Sequence, residues 1–490
     1  MFSCSNRDKR DSIRISVAYE IDTLDPHART RLANYTIAFN MYEPLVTADP
    51  NMKIRPCLAS RWENPDGYTW IFHLQPSVHF HSGKLLTSDD VVYSFQRVLN
   101  SPDLEVGSQL ANVTEVKALD TDTVQIRTKR PLTIFLNKLF FIVIVPKGST
   151  SQTLADKADG TGPYKLSRWN KGQSIEMIRN ENYWGEKPIL KEATFILGRD
   201  SNEALNDLMS NSSQLIQCNS KIVQQRLDKK KYDVLIHDGL FVKYLAYDLF
   251  RDVTPYCNTK TNPFKNIYVR QALNCAIDRN SVVAGLPSYA IPATQPIPPF
   301  VFGYNPHIQL QPYDPQQARS LLAKAGYPDG FSATLHVRQI LKDTAIVLQK
   351  QLAMVGVRTE LKILSDAQWF DAISKNDFSF FLSRLGATIG DASDVLDGSM
   401  HTEDASNHYG ALNFGKYANA EVDRLTEVTA GIEDMEKRRT ALQDTMSKIM
   451  NDLPWIPLYV DQDVYALNQA YSWQPRLDSH ILAAEIKLRQ

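Results

Sequence analysis

The segment that most limits how this chain can fold is Gly160-Thr161-Gly162-Pro163. Two glycines and a proline within four residues dictate a tight, pre-set backbone turn. Tyr164, Lys165 and Leu166 then alternate like the start of a strand. Alone, such a turn is equally an ordinary junction between a loop and a strand. Here it stands between two further ordered segments. Upstream, residues 78–99 read VHFHSGKLLTSDDVVYSFQRVL, and downstream, YLAYDL at 244–249 precedes NPFKNIYVRQALNCAIDR at 262–279.

Around this turn the chain alternates strand and helix patterns. Residues 13–18 alternate apolar and polar and read as a first strand leading into YEIDTLDPH, a loop with a rigid Asp25-Pro26 turn. A helix is expected over 34–41, and a second, short one over 56–63 with Pro56 at its start. A strand at 68–74 follows the Pro65-Asp66-Gly67 turn. Ser88 is expected to cap an amphipathic helix with Val91, Val92, Phe95, Val98 and Leu99 inward. Further on, Asp314 caps a helix with Pro315 in its first position and Gly326 after its end. A helix at 344–354, a strand at 355–363 and a long helix from 421 to 450, broken near Gly431, complete the second half. PWIPLYV, 454–460, reads as a strand returning to the first half.

At 490 residues the chain has material for two to four domains. Its formal net charge of −1 argues against the basic face that nucleic-acid binding needs. The longest apolar run, 134–145, is interrupted by Asn137 and Lys138 and is too short to span a bilayer. Cys57 and Cys275 fall inside apolar helical patterns as core thiols, while Cys218 and Cys257 can pair in an oxidising compartment.

Catalytic motifs are absent or incomplete. GALNFGKY, 410–417, resembles the beginning of a phosphate-binding loop but has Tyr417 where a hydroxyl must reach magnesium. There is no GxSxG and no HExxH. His79 and His81 share a face without an acidic or thiol third ligand, and read as surface histidines. His401 and His408, with Glu403 and Asp404 between, are the better metal candidate, and no resident metal or cofactor is assigned.

The order and spacing of these segments, from about residue 13 to the C-terminus, resembles the family-5 extracytoplasmic solute-binding proteins, the peptide-, dipeptide- and nickel-binding receptors of ABC importers. The resemblance implies an α/β, two-lobed clamshell of the type II periplasmic-binding-protein kind, with an extra subdomain in the first lobe. Lobe I would comprise 13–45, 160–243 and 462–490, the subdomain 46–159, and lobe II 244–461, after a disordered tether at 1–12. It further implies a monomeric binding protein, not an enzyme, that closes on a peptide between its lobes and hands it to permease subunits. The alternatives are a receptor for a nickel chelate, haem or another small solute, and an enzyme or chaperone-like protein using the same cleft. Cys4, after a small residue and before a polar stretch, matches the start of a mature lipoprotein, which would place the protein in the periplasm or on the cell surface, held to a membrane by lipid.

The same resemblance nominates the ligand contacts. Asp391 falls where peptide-binding members place the aspartate that accepts the α-ammonium, with Asp394 on the second acid of that motif. This chain departs from the pattern at Ala387 and Val395, which replace a tryptophan and a proline. Arg338 lies near the position of a carboxylate-binding arginine, whose planar fork suits the task. Tyr19 and Glu20 would line the cleft from the first lobe, and Trp369 and Tyr409 would form walls.

Overall fold

The computed structural model describes residues 11–489, so Cys4 lies outside the described residues. The chain divides into two compact units. One holds the residues up to His237 together with those from Asp463 onward, and the other is Asp238–Gln462.

The first unit is built on β1 (Ser12–Ser16), in which Ile13 and Ile15 are fully buried while Arg14 points to solvent. Helix α1 (Leu32–Met41) follows, with every residue after Leu32 buried, polar ones included. Asn40 is fully engaged: it donates to the Thr36 and Ile481 carbonyls and accepts from the Ala483 N–H. A four-stranded antiparallel sheet comes next, formed by β2 (Ala59–Glu63), β3 (Thr69–Leu74), β4 (Val113–Ala118) and β5 (Thr123–Thr128) in the order β2-β3-β5-β4. The expected helix at 56–63 is therefore a strand, and Cys57 precedes it outside any helix. The Asp66 carboxylate takes the N–H groups of Tyr68 and Thr69, Gly67 adopts a positive φ, and the hairpin so made pairs β2 with β3. Hairpin pairing overrides the helix-start reading of Pro56. Helix α2 (Ser88–Leu99) packs beneath, capped by Thr87, one residue before the expected Ser88, in a reciprocal box with Asp90.

The Gly160–Gly162 turn joins these parts. A Cβ on Gly160 would sit 2.1 Å from the Met41 carbonyl oxygen, and one on Gly162 2.6 Å from the Met41 carbonyl carbon. Glycine is the residue this approach admits. The Gly162 N–H donates to Met41 O at 2.9 Å, and His81 binds both glycine carbonyls through its N–H and Nε2. Buried Glu43 accepts from Thr161 Oγ1, Tyr183 Oη and Trp184 Nε1 at 2.7–2.8 Å. Burial raises its pKa above the ordinary carboxylate range against the pull of those donors.

After the turn, β6 (Tyr164–Asn170) and β7 (Ser174–Arg179) form a hairpin, and β7 pairs with β8 (Glu192–Ile196). β8 and β9 (Leu215–Gln217) flank β1, both parallel to it. The chain leaves the first unit through β10 (Tyr232–Tyr247).

The second unit contains the parallel strands β11 (Phe331–Arg338), β12 (Val357–Leu364) and β13 (Phe380–Gly386), with β11 between the other two and β10 antiparallel to β13. Alternation along β10 feeds two cores. Leu245 and Tyr247 pack with the helices Ile267–Cys275, Pro315–Lys324 and Lys342–Ala353. Tyr244 and Ala246 pack with Asp366–Ser374 and Met435–Asp452 instead. The expected long helix is two, Ala420–Thr429 and Met435–Asp452, the second capped by Asp434. β14 (Trp455–Asn468) returns to the first unit, where its end pairs with β9. Cys57, Cys218, Cys257 and Cys275 are all free thiols, so the possible Cys218–Cys257 bridge is not made.

Two buried histidines of the first unit make its stability pH-dependent. His27 Nδ1 accepts from Arg97, itself paired with Asp25, and its Nε2 donates to the Val143 carbonyl. Burial first, and then Arg97, pull His27 down to about 4, and burial does the same to His480. The unfolded chain thus binds more protons between about pH 6.5 and 4, so stability is complete above that window and lost on descending through it. Each histidine contributes about 1.4 kcal/mol per pH unit at most. Urea midpoints are expected to fall from pH 7.5 to pH 5, with a shallower fall in His480→Gln; a flat profile would refute the assignment.

Candidate functional site

Ligands of open α/β sheets gather at the carboxyl ends of parallel strands. In the second unit those ends carry a cluster of cations. β11 finishes at Arg338, whose Nε and Nη2 donate to Asp366 Oδ1 at 3.1 and 2.7 Å while the guanidinium lies 5.7 Å from the Phe370 ring. On the neighbouring strand β13, Arg384 lies 4.7 Å over the Phe241 ring and forms no hydrogen bond or ion pair with any described residue. Burial, and then repulsion from Arg338, lower its pKa. Lys243 stands opposite Arg384 in register, buried and ion-paired with Asp461. Arg338 and Lys243 thus each pair with a carboxylate, Asp366 and Asp461, while Arg384 has no such ion pair among the described residues. Ile340 and Phe370, both 59% exposed, add apolar surface at the same strand end.

The acidic motif is committed elsewhere. Asp391 caps a short helix through the Ser393 N–H and is gripped by Arg438, Nη1 to Oδ2 at 2.6 Å and Nη2 to Oδ1 at 2.8 Å. Arg438 also donates to Ser393 Oγ and to the Thr429 carbonyl, and is 1% exposed. A ligand ammonium would have to displace this guanidinium to reach Asp391. Half-buried Asp394 donates its N–H to the Asp391 carbonyl. Trp369 is core, edge-on to Phe381. Tyr409 is buried and stacked on His401 at 4.1 Å. His401 bonds the Thr402 carbonyl and Glu427, His408 is exposed, and no group of three or more metal-ligating side chains exists among the described residues.

In the first unit, the chain leaving β1 carries Tyr19 and Glu20. The Tyr19 carbonyl accepts from the Gly198 N–H, and burial holds its hydroxyl well above the ordinary phenol pKa. Glu20 is exposed, its carboxylate lying against Gly198.

Residues 53–407 match the family model described as "Bacterial extracellular solute-binding proteins, family 5 Middle". The chain belongs to this family. It is thus an extracytoplasmic solute-binding receptor of the ABC-importer class. Heme-binding protein A of Haemophilus influenzae is 28% identical over 83% of this chain and 78% of its own. Glutathione-binding protein GsiB of Salmonella typhimurium is 27% identical over 92% and 89%. Among solved structures, HbpA2 from Haemophilus parasuis superposes with a TM-score of 0.83 at 24% identity, covering 98% of this chain and 100% of the other. The periplasmic binding protein DppA from Helicobacter pylori, in complex with peptide STSA, gives 0.81 at 23%, covering 98% of each. The fold of this solute-binding protein is that of type II periplasmic binding proteins, mixed α/β.

Arg384, Lys243 and Asp461 were not among the residues singled out from sequence. The signal was present: a lone cation inside each of the apolar strands FFLSRLG and LFVKYLAY. A charge at such a position is kept for a pair or a ligand.

Removing Asp391 leaves Arg438 buried and unpaired, a loss of about 3–5 kcal/mol. Asp391→Ala is therefore expected to lower the urea midpoint markedly even without solute. Unchanged stability would show that the pair does not hold this segment.

Proposed function

We propose that this solute-binding protein captures a carboxylate-bearing solute, a peptide in the first instance, with Arg384 as the principal anchor and Arg338 beside it. The observation that carries this reading is the half-buried Arg384 guanidinium, which has an aromatic neighbour and no acid of its own. A guanidinium fork meets a carboxylate with two parallel hydrogen bonds. Glutathione, the solute in the name of one relative, is a tripeptide with two carboxylates and falls within this class. In this reading Asp391 secures the segment after β13 through Arg438. The array offers charge and apolar surface without a nucleophile–base pair, which favours binding over catalysis. The protein would act as a monomer delivering solute to its permease.

The test is calorimetry with glutathione and short peptides, free and C-terminally amidated. Losing one partner of a desolvated charge pair costs about 2–5 kcal/mol. Arg384→Ala is thus expected to weaken free peptides by about 30-fold or more and to leave the amidated forms unchanged. Equal binding of both forms by wild type and variant removes Arg384 as anchor.

A second reading, haem, is favoured by exposed Ile340 and Phe370 beside the arginines, which suit an amphipathic dicarboxylate. A relative named for heme supports it. Absorbance titration with haemin separates the two: tighter binding than any peptide selects haem.

The Cys4 lipid anchor belongs to this proposal, supported by the small residue before it and the polar stretch after it. Cells fed labelled palmitate are expected to label the wild type and not Cys4→Ser; labelling of neither would end the idea.

A further inference from the structure

The second unit contains a cavity of about 530 Å³, a volume in the range of small-molecule sites. Helix Ile267–Cys275, the segment around His307–Gln311, the start of helix Pro315–Lys324 and the end of helix Met435–Asp452 enclose it. It shares no residue with the strand-end cluster of Arg338, Arg384 and Lys243.

Its walls are rich in side-chain amides and contain no acid. Gln271 and Asn451 line it with amides that bond no other described residue. Gln311 lines it too, giving one N–H to the Cys275 sulfur. Arg279, 4% exposed, forms part of the wall. Its Nε donates to the Pro457 carbonyl and its Nη2 to Asn274 Oδ1, both neutral, while Nη1 has no partner. No carboxylate among the described residues pairs with it. The nearby acids serve other groups: Asp278 caps helix Arg279–Gly285, Asp314 caps helix Pro315–Lys324, and Asp452 accepts from Tyr417 and Asn419. Burial alone pulls the guanidinium down to about 10. A buried cation without a counter-charge is costly, and structures keep one where a charge or a ligand offsets it.

We propose that this cavity is a second ligand site, one that takes a small hydrophilic oxyanion, a phosphate ester or carboxylate. The anion accepts hydrogen bonds from the Gln271, Gln311 and Asn451 amides, and its charge balances Arg279 through the wall. Amides with no acid among them discriminate against cations, and the wall's polarity disfavours an apolar solute.

The experiment is calorimetry on the full chain with inorganic phosphate and glucose 6-phosphate, with glucose as the uncharged control. Saturable binding of both anions and none of glucose is expected. Gln271→Glu, which places a carboxylate in the cavity without touching the core, should weaken the anions by about tenfold or more. Arg384→Ala should leave them unchanged. The proposal is overturned if neither anion binds, if Gln271→Glu binds them as the wild type does, if glucose binds as tightly as its phosphate ester, or if Arg384→Ala abolishes binding. That last result would assign the anions to the strand-end cluster. Because Arg279 supports the Pro457 carbonyl and its removal risks the fold, the rim double variant Gln271→Leu/Asn451→Leu is the second test. It should lose anion affinity at unchanged urea stability, and unchanged affinity would count against the site.

Discussion

The first unit depends on one close approach, that of the Gly160–Gly162 backbone to the end of helix Leu32–Met41. A Cβ at either glycine would collide with the Met41 carbonyl, so the backbones of the two segments meet directly. Glu43, two residues past the helix, then fastens Thr161, Tyr183 and Trp184 to the same point. An acid in that position is an expensive hub, because burial opposes its charge. Its three donors offset part of that cost, one from within the turn and two from Tyr183 and Trp184 beyond it. His81 adds the segment that leads into helix Ser88–Leu99. A single tight turn thereby organises parts of the chain far apart in sequence.

The second unit treats its charges in two ways. Arg438 and Asp391 are buried, mutually paired and supplied with further partners, so they resemble a packed core element more than a site. Lys243 and Asp461 are likewise paired. Arg384, one strand away from Lys243 and in register with it, lies over the face of Phe241 and bonds no acid among the described residues. A half-desolvated cation left without an acid keeps its interaction energy for something else, and the end of a strand is where a solute can reach it. On the proposed function, that contrast between neighbouring charges separates architecture from ligand anchor.

Much of the fold was legible because local patterns and tertiary packing agree. Strand Ser12–Ser16 and helix Pro315–Lys324 with its Asp314 cap both read correctly from periodicity and capping residues. At 56–63 they conflict: Pro56 suggests a helix start, but the hairpin closed by Asp66 and Gly67 claims the segment as a strand. The site was less legible. Asp391 stood out by resemblance, yet its occupant is Arg438, 47 residues on, a pairing no local pattern announces. Trp369 and Tyr409 are large aromatics, and the sequence alone does not say whether such a ring faces a ligand or a core. Arg384 could have been found, since a lone cation within FFLSRLG is itself an anomaly.

The two-sided alternation of the strand Tyr232–Tyr247 has an evolutionary consequence. Consecutive residues serve opposite cores, so one inserted or deleted residue there would exchange the two sets at once, and drift along the middle of this strand is closed to length change. The strand ends are under no such restraint. Arg338 and Arg384 belong to neither apolar core. With the anchors at the strand ends, as proposed above, a lineage can exchange one cargo for another by editing a few terminal positions while its interior stays fixed. Relatives named for heme and for glutathione, each little more than a quarter identical to this chain, are the kind of radiation such a scaffold permits.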